Sequence, residues 1–458
     1  MITVFRIKPK LLLFIFLLPV YSLQAQNSLT GYVDSALASN RVLQQKNISL
    51  EKASLALSIA KSYYYPNVGF QLGYQTADGG RDINLPLGDL LNGVYGTLNQ
   101  LTGSNNFPQL KNQQVNFLPH NFYDAKVRTT MPLYNQDIYY NKKIAGQQIA
   151  LSALDIDVYK RELIKNVKEA YYNYLTALQA VDIYKQAQEV ATESKRVNQK
   201  LLDNGKGLHA YILRSESEIE NIHAQINTAQ QQAANAMMYF NFLLNRPLRE
   251  NINTGYPTNE TVTEAGGLLL QEINSNNREE ITLLNKVVEL NETAVAMNKS
   301  AYYPKLNSFL DLGSQAENWK FNNQSRYYML GLQLDVPIFT GFRTRNKVKQ
   351  AELEVTNAKI NKAQVQEQLN LAGGIAKNNL LSAWQTYTAT TKQLEAAAAY
   401  QRLIERGYKE GTNTFIETVD ARGQFTQAQL AHNIQQYKVL IAAAALEREA
   451  AILPLKTK

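Results

Sequence analysis

From Asp137 to about Asn204 the chain carries no proline and one glycine, and Ala, Gln, Leu, Glu and Lys recur along it. As one helix rising 1.5 Å per residue, the segment runs on the order of 100 Å, longer than a compact globular domain requires. The fold must therefore be extended, with a partner along the helix. A second stretch, Arg343 to about Arg406, also lacks proline. Its paired Gly373-Gly374 is expected to mark a bend or a close crossing, because each glycine weakens a helix by roughly 1 kcal/mol.

The two stretches belong to an internal duplication. LLDNGKGLHAYILRSESE aligns with LIERGYKEGTNTFIETVDARGQF, Gly205 on Gly411 and Leu213 on Val419. The same offset, within a residue, pairs Met131-Pro132-Leu133-Tyr134 with Val336-Pro337-Ile338-Phe339, Asn173 with Asn379, and Leu175 with Leu381. Each half reads helix, strand, strand, very long helix, glycine turn, returning helix. The first repeat spans 26–246, with strands at about 66–76 and 123–133, a long helix 135–204 and a returning helix 208–245. The second spans 268–458, with strands at about 304–313 and 327–337, a long helix 343–406 and a returning helix 413–452. Residues 247–267, within a stretch rich in Pro, Gly, Asn and Thr, read as a connector.

The helices carry coiled-coil spacing. Ile212, Ser215, Ile219, Ile222, Ile226, Ala229, Ala233, Ala236, Phe240 and Leu243 step alternately by three and four, and Val167, Tyr171, Tyr174, Leu178 and Val181 keep the same rhythm.

At the amino terminus MITVFRIKPK, LLLFIFLLPVYS and LQAQ supply the basic, apolar and polar parts of a secretory leader, 1–25. A permanent anchor helix is the other reading, although the apolar run is shorter than a membrane span needs. Beyond Gln26 no run approaches the roughly 18 apolar residues of a spanning helix, so the mature chain reads as exported. Without Arg6, Lys8 and Lys10 the formal charge falls from +8 to +5, and the remaining charges alternate in sign along helices, unlike a nucleic-acid footprint. Zero cysteine excludes a disulfide framework and a lipid-modified cysteine.

Two tyrosine clusters, Tyr63-Tyr64-Tyr65 and Tyr302-Tyr303, each precede a proline and an alternating segment. Val68, Phe70, Leu72 and Tyr74 alternate with Gly69, Gln71, Gly73 and Gln75, and Tyr328, Leu330, Leu332 and Leu334 with Met329, Gly331, Gln333 and Asp335. Tyr123 to Met131 and Leu306 to Gly313 behave likewise, with Phe309 among the polar positions. Segments of about ten residues with one apolar and one polar face match lipid-facing barrel strands around a wet lumen, the tyrosines lying at headgroup level. A soluble sheet packed on helices is the competing reading. Four strands cannot close a membrane barrel, whose smallest form has about eight, and open edges are not tolerated in lipid. Several chains must then share one barrel.

Over essentially its whole mature length the chain resembles the TolC-type outer-membrane efflux proteins, through the duplicated element order and the turn strings GKGLHAYILRSE and GYKEGTNTFIETVDA. The resemblance implies an α+β membrane protein and a homotrimer, each protomer giving four strands to a twelve-stranded outer-membrane barrel continued by an antiparallel coiled-coil tunnel through the periplasm. It implies a periplasmic adaptor and, through it, an inner-membrane efflux pump or ABC transporter as partners. The turns holding Gly205, Gly207, Leu208 and His209, and Gly411 and Thr412, would be adaptor-contacting tips, and loops at about 77–121 and 314–326 extracellular. The family's acidic constriction falls at Glu417 and Asp420, and Tyr408 falls where the family places a tyrosine that helps hold the tip closed. Asn413 stands where the best-known pattern has an arginine, and Tyr211 where many members have a carboxylate. The bland reading of Glu417 and Asp420 is solvated helix-face carboxylates.

His120, His209, His223 and His432 lack metal-ligand spacing, and there is no phosphate loop, nucleophile elbow or cysteine nucleophile. The expectation is a passive exit duct of a tripartite efflux or type I secretion system, with no enzyme activity, no cofactor and no nucleic-acid partner. The alternative is a non-conducting envelope-spanning stalk with a barrel anchor.

Overall fold

The computed structural model describes residues 29–118, 120–271 and 277–452; the leader expected at 1–25 lies outside them. In chain order the elements are α1 (Leu29–Ser39), α2 (Arg41–Ser62), β1 (Asn67–Gln75), β2 (Asp82–Leu85), α3 (Leu87–Thr102), β3 (Gln113–Asn116), β4 (Phe122–Tyr134), α4 (Gln136–Asp203), α5 (His209–Leu243) and α6 (Thr258–Gly267). A 3-10 turn at Leu268–Leu270 follows, then α7 (Glu279–Ser300), β5 (Lys305–Glu317), β6 (Arg326–Asp335), α8 (Arg343–Glu410) and α9 (Phe415–Ala450). The chain is α+β, mostly helical with some sheet. It divides into two compact units: residues up to Lys46, Ile156–Glu279 and from Gln366 onward form one, and Asn47–Asp155 with Glu280–Val365 form the other.

The first unit is helical. It holds α4 from Ile156 and α8 from Gln366, the larger parts of two helices of 68 residues each, and α8 stays helical through Gly373-Gly374, with Gly373 buried and open space beside Gly374. Every seam position from Ile212 to Leu243 on α5 is buried or half-buried, as the heptad spacing requires. The core holds Leu163, Val167, Tyr171 and Tyr174 of α4, Phe240 of α5, Leu380 of α8, and Val439, Leu440 and Leu446 of α9. Tyr32 meets the Phe240 ring edge-on at 5.1 Å, and the Arg246 guanidinium lies 5.0 Å over Tyr32. The buried hydroxyls have partners: Tyr171 donates to Asn253 O at 2.9 Å, and Tyr172 and Tyr256 share a hydrogen bond of 2.9 Å. Burial raises the pKa of both Tyr171 and Tyr172, keeping them protonated donors. Within the stretch read as a plain connector, α6 forms and buries Val262 and Ala265. α1 and α2 are separated at Asn40, whose Oδ1 accepts from the amides of Val42 and Leu43 and whose Nδ2 donates to Leu243 O at 3.1 Å.

The second unit carries a four-stranded antiparallel sheet in the order β1-β4-β5-β6, so β1 and β6 are its edges. Register places Arg128 beside Asp311, and Asp311 beside Met329. The alternating apolar side chains are exposed, Phe70 by 69% and Leu330 by 72%, which a water-facing sheet would not sustain over so many positions. No helix among the described residues is long and apolar enough to cross a membrane; the exposed apolar stripes lie on the strands. Residues 77–121 are not simply a loop. β2 pairs with β3, and between them lies α3, with Leu87, Leu90, Val94 and Leu101 exposed on it. Asn92, Asn99 and Asn112 hold α3 to the segment that follows it, Asn92 Oδ1 accepting from Leu110 N at 2.7 Å and Asn99 Oδ1 from Phe107 N at 3.1 Å. The three- and four-residue spacing of those apolar positions is the sequence signal for that helix.

Candidate functional site

Both glycine turns use one backbone device. Lys206 N donates to Leu201 O at 2.8 Å and Gly205 N to Leu202 O at 2.9 Å; Thr412 N donates to Gly407 O at 2.8 Å and Gly411 N to Tyr408 O at 3.1 Å. These paired bonds close the last turn of α4 and of α8, with Gly205 (φ 73°) and Gly411 (φ 78°) in the left-handed region that glycine enters without penalty. Leu208, at the N-cap of α5, is 58% exposed, and His209 is exposed beside it. Thr412 is exposed, yet its hydroxyl donates to Gly407 O at 3.0 Å, so it also has an intramolecular task. Gly407, not singled out from the sequence, is buried against the Asn413 side chain so closely that a Cβ would not fit.

Beyond the second turn, Thr414 caps α9. Its Oγ1 accepts from Glu417 N at 3.3 Å, and the Glu417 carboxylate accepts from Thr414 N at 2.7 Å and from Asn413 Nδ2 at 3.1 Å. This capping box fixes the start of the helix. The backbone hydrogen bond from Thr414, helped by Asn413, lowers the Glu417 pKa, so the carboxylate is ionised near neutral pH. The neutral amide of Asn413 thus restrains Glu417 from its own chain. Asp420, three residues on, is exposed and accepts from Gln424 Nε2 at 2.7 Å. Glu417 and Asp420 share no ligand and are held independently.

Tyr408 donates to Asn198 Oδ1 at 3.0 Å, tying α8 to α4, and Asn198 Nδ2 lies 3.5 Å from Ser215 Oγ on α5. Burial raises the Tyr408 pKa, so the phenol remains a donor. Phe415 packs between Tyr211, at 4.9 Å, and Tyr408, at 6.1 Å. Tyr211 therefore contributes a ring to the packing around Phe415. Arg422 lies 5.9 Å over Phe415, donates to Thr418 O at 3.2 Å, and sits 3.8 Å from Glu218 Oε2. Burial raises the Glu218 pKa against the pull of Arg422 and Arg214. Asn198, Glu218 and Arg422 were not legible as site residues, because their partners come from other helices.

In the other unit the polar strand face is a paired charge network. Arg128 donates two bonds to Asp311, at 2.7 and 2.6 Å, and lies 5.4 Å over Phe309. Asp124 accepts from Lys126 at 2.7 Å and from Tyr327 at 2.7 Å. Gly331 leaves the room that the Phe309 ring occupies. The exposed tyrosines Tyr63, Tyr64, Tyr65, Tyr302 and Tyr303 stand where α2 hands over to β1 and α7 to β5. Among the described residues no cluster of three or more His, Asp or Glu could hold a metal ion.

Such paired long helices, capped tips and a sheet with a greasy and a charged face define the protomer fold of the TolC-type channels. Residues 271–450 match the outer membrane efflux protein family. The chain is 21% identical over 456 residues to outer membrane protein TolC of Salmonella enteritidis, covering 93% of this chain and 83% of that protein. It is 23% identical over 240 residues to alkaline protease secretion protein AprF of Pseudomonas aeruginosa, covering 50% of this chain and 49% of AprF, so the match spans about half the length of that relative. The open-state MtrE outer membrane channel of Neisseria gonorrhoeae superimposes with a TM-score of 0.72 at 17% identity, over 93% of this chain and 89% of that one. The carboxy-terminal half thus matches the outer membrane efflux protein family, and most of the chain is similar to TolC in sequence and to outer membrane channels in fold.

Proposed function

We propose that three copies of this chain form a passive exit duct, the outer-membrane component of a tripartite efflux or type I secretion system. The observation that carries the proposal is the four-stranded sheet with two open edges, one exposed apolar face and one charged face. Its β1 and β6 edges need partners in lipid, and three copies supply twelve strands. The apolar stripes face lipid, the aromatic clusters sit at the headgroup level, and the Arg128-Asp311 and Asp124-Lys126 pairs line a wet lumen. The repeated order of helix, strands, long helix, turn and returning helix supports an ancestral duplication. Opposite charges paired within β4 and between β4 and β5 neutralise one another there, so that section of the lumen discriminates little by charge.

Selectivity then falls to the tip. Three copies of Glu417 and Asp420 around an axis form an acidic mouth, with Tyr408 and Asn413 holding it closed. Leu208, His209 and Thr412, with the turns at Gly205, Gly207 and Gly411, offer the contact to a periplasmic adaptor, and through it an inner-membrane pump supplies the energy. Ion conductance by the purified trimer in planar bilayers tests the duct. Stepwise conductance with cation preference is the expected result. Insertion without conductance returns the envelope-spanning stalk.

A further inference from the structure

A cleft of about 550 Å³ lies within the helical unit, between α4, α9 and the start of α6. Its lining is nearly free of charge: Glu260 is its one carboxylate, and it has no lysine or arginine. His432 stacks on Tyr387 at 5.2 Å, and burial lowers its pKa, so it is neutral at pH 7. Amides and phenols make up most of the rest, among them Gln179, Gln429, Gln436, Asn433, Tyr256 and Tyr437.

Asn433 is the informative residue. It is only 3% exposed, its Nδ2 donates to Thr176 O at 2.9 Å, and its buried Oδ1 has no hydrogen-bond partner among the described residues. The Thr176 carbonyl accepts and cannot donate, which fixes the amide orientation and leaves an acceptor in the cleft wall. An unpaired buried acceptor costs about 1–3 kcal/mol, and a ligand donor relieves that penalty. Gln179, Gln186 and Gln429 likewise make no side-chain hydrogen bond among the described residues, whereas Gln436 donates to Asn259 at 2.6 Å. Free amides supply donors and acceptors together, and the phenol rings supply apolar faces with polar tips. The volume falls in the range of small-ligand sites.

We propose that this cleft binds an N-acetylated sugar unit of a neutral glycan chain. The acetamido N–H donates to Asn433 Oδ1, the ring hydroxyls exchange hydrogen bonds with Gln179 and Gln429, and the sugar's C–H face lies against Tyr256 or Tyr437. A cleft open to solvent suits a polymer lying across it more than an enclosed small molecule. A charged ligand finds no counter-ion here apart from Glu260. That the cleft faces the periplasm, where a cell-wall glycan is available, rests on the duct reading; its binding chemistry does not.

The test uses the full-length trimer in detergent and two probes, chitotetraose and its free-amine counterpart, followed by ligand-observed NMR at pH 7. Saturable binding of chitotetraose, at least tenfold stronger than of the free-amine form, is expected. Gln429→Ala, at a side chain with no partner in the fold, weakens it several-fold, and Asn433→Leu about tenfold, the equivalent of 1.4 kcal/mol. Co-sedimentation with purified cell-wall sacculi, against lipopolysaccharide micelles, identifies which glycan is the source. Absence of saturable binding, equal binding of the two probes, or unchanged affinity in both variants overturns the proposal. Bilayer conductance of the same preparations reads the duct separately, so failure here leaves that reading standing.

Discussion

The capping box at the second tip lends itself to a quantitative test. Thr414→Ala removes the hydroxyl that accepts from Glu417 N at 3.3 Å but leaves the backbone amide of residue 414 to donate to the Glu417 carboxylate at 2.7 Å. Loss of a threonine N-cap costs about 1 kcal/mol, equivalent to roughly a fivefold shift in local opening. Because only the first turn of α9 opens, amide exchange over residues 414–420 accelerates about fivefold while β1 and the core of α4 keep wild-type protection. Thr414→Ser, which retains the acceptor, restores it. The Glu417 half of the box titrates. Its pKa is lowered on folding, by Thr414 N first and Asn413 second, so its contribution is present above the ordinary value of 4.5 and is lost as pH falls through the lowered one. Exchange corrected for intrinsic rate therefore rises at the tip below pH 4.5, and Glu417→Gln abolishes that acid step. Wild-type exchange in Thr414→Ala, or an acid step that survives Glu417→Gln, refutes the capping argument.

Asp420 is exposed and accepts only from Gln424, whereas Glu417 accepts two hydrogen bonds on Oε2 that hold it to the start of α9, so Asp420→Ala is expected to reduce cation selectivity and multivalent-cation block in single-channel recordings more than Glu417→Ala. The double variant loses both, and the effect fades as salt shortens the Debye length below about 8 Å; wild-type selectivity in the double variant removes the gate assignment. Tyr408→Phe deletes the 3.0 Å bond to Asn198, a loss of about 1 kcal/mol per protomer, and raises the open fraction without changing trimer yield; an unchanged open fraction contradicts the latch. A cysteine at Asn105, the residue 105 segment being read as extracellular, reacts with an impermeant thiol reagent on intact cells; labelling only after the outer membrane is breached reverses the topology.

The heptad from Ile212 to Leu243 was readable because burial along a coiled coil repeats a single spacing, and each position is buried or half-buried. The strand faces were readable for the same reason at period two. Phe309 broke the alternation, and its reason lies on two other strands: Arg128 stacks on it and Gly331 makes room. α3 carried a visible apolar spacing that its setting between strand segments obscured. Thr414 and Glu417 stand in the spacing of a capping box, so the start of α9 is legible in the sequence. The Tyr408-Asn198 bond and the Glu218-Arg422 pair join residues some two hundred positions apart. No local pattern encodes such pairs; only the packing of returning helices brings them together.

The central claim is that the sheet is completed only by copies of the same chain, and disulfide trapping between its two edges tests it most directly. The chain has no cysteine, so introduced ones report alone. Single substitutions along β1, such as Gln71→Cys, are combined in one chain with substitutions along β6, such as Gln333→Cys, stepped by two residues to scan the register. Oxidation in isolated outer membranes is expected to link three chains into one covalent ring at the pair of positions that face each other, and at neighbouring registers far less. Monomers at every pair, with trimer otherwise intact, would contradict the shared barrel.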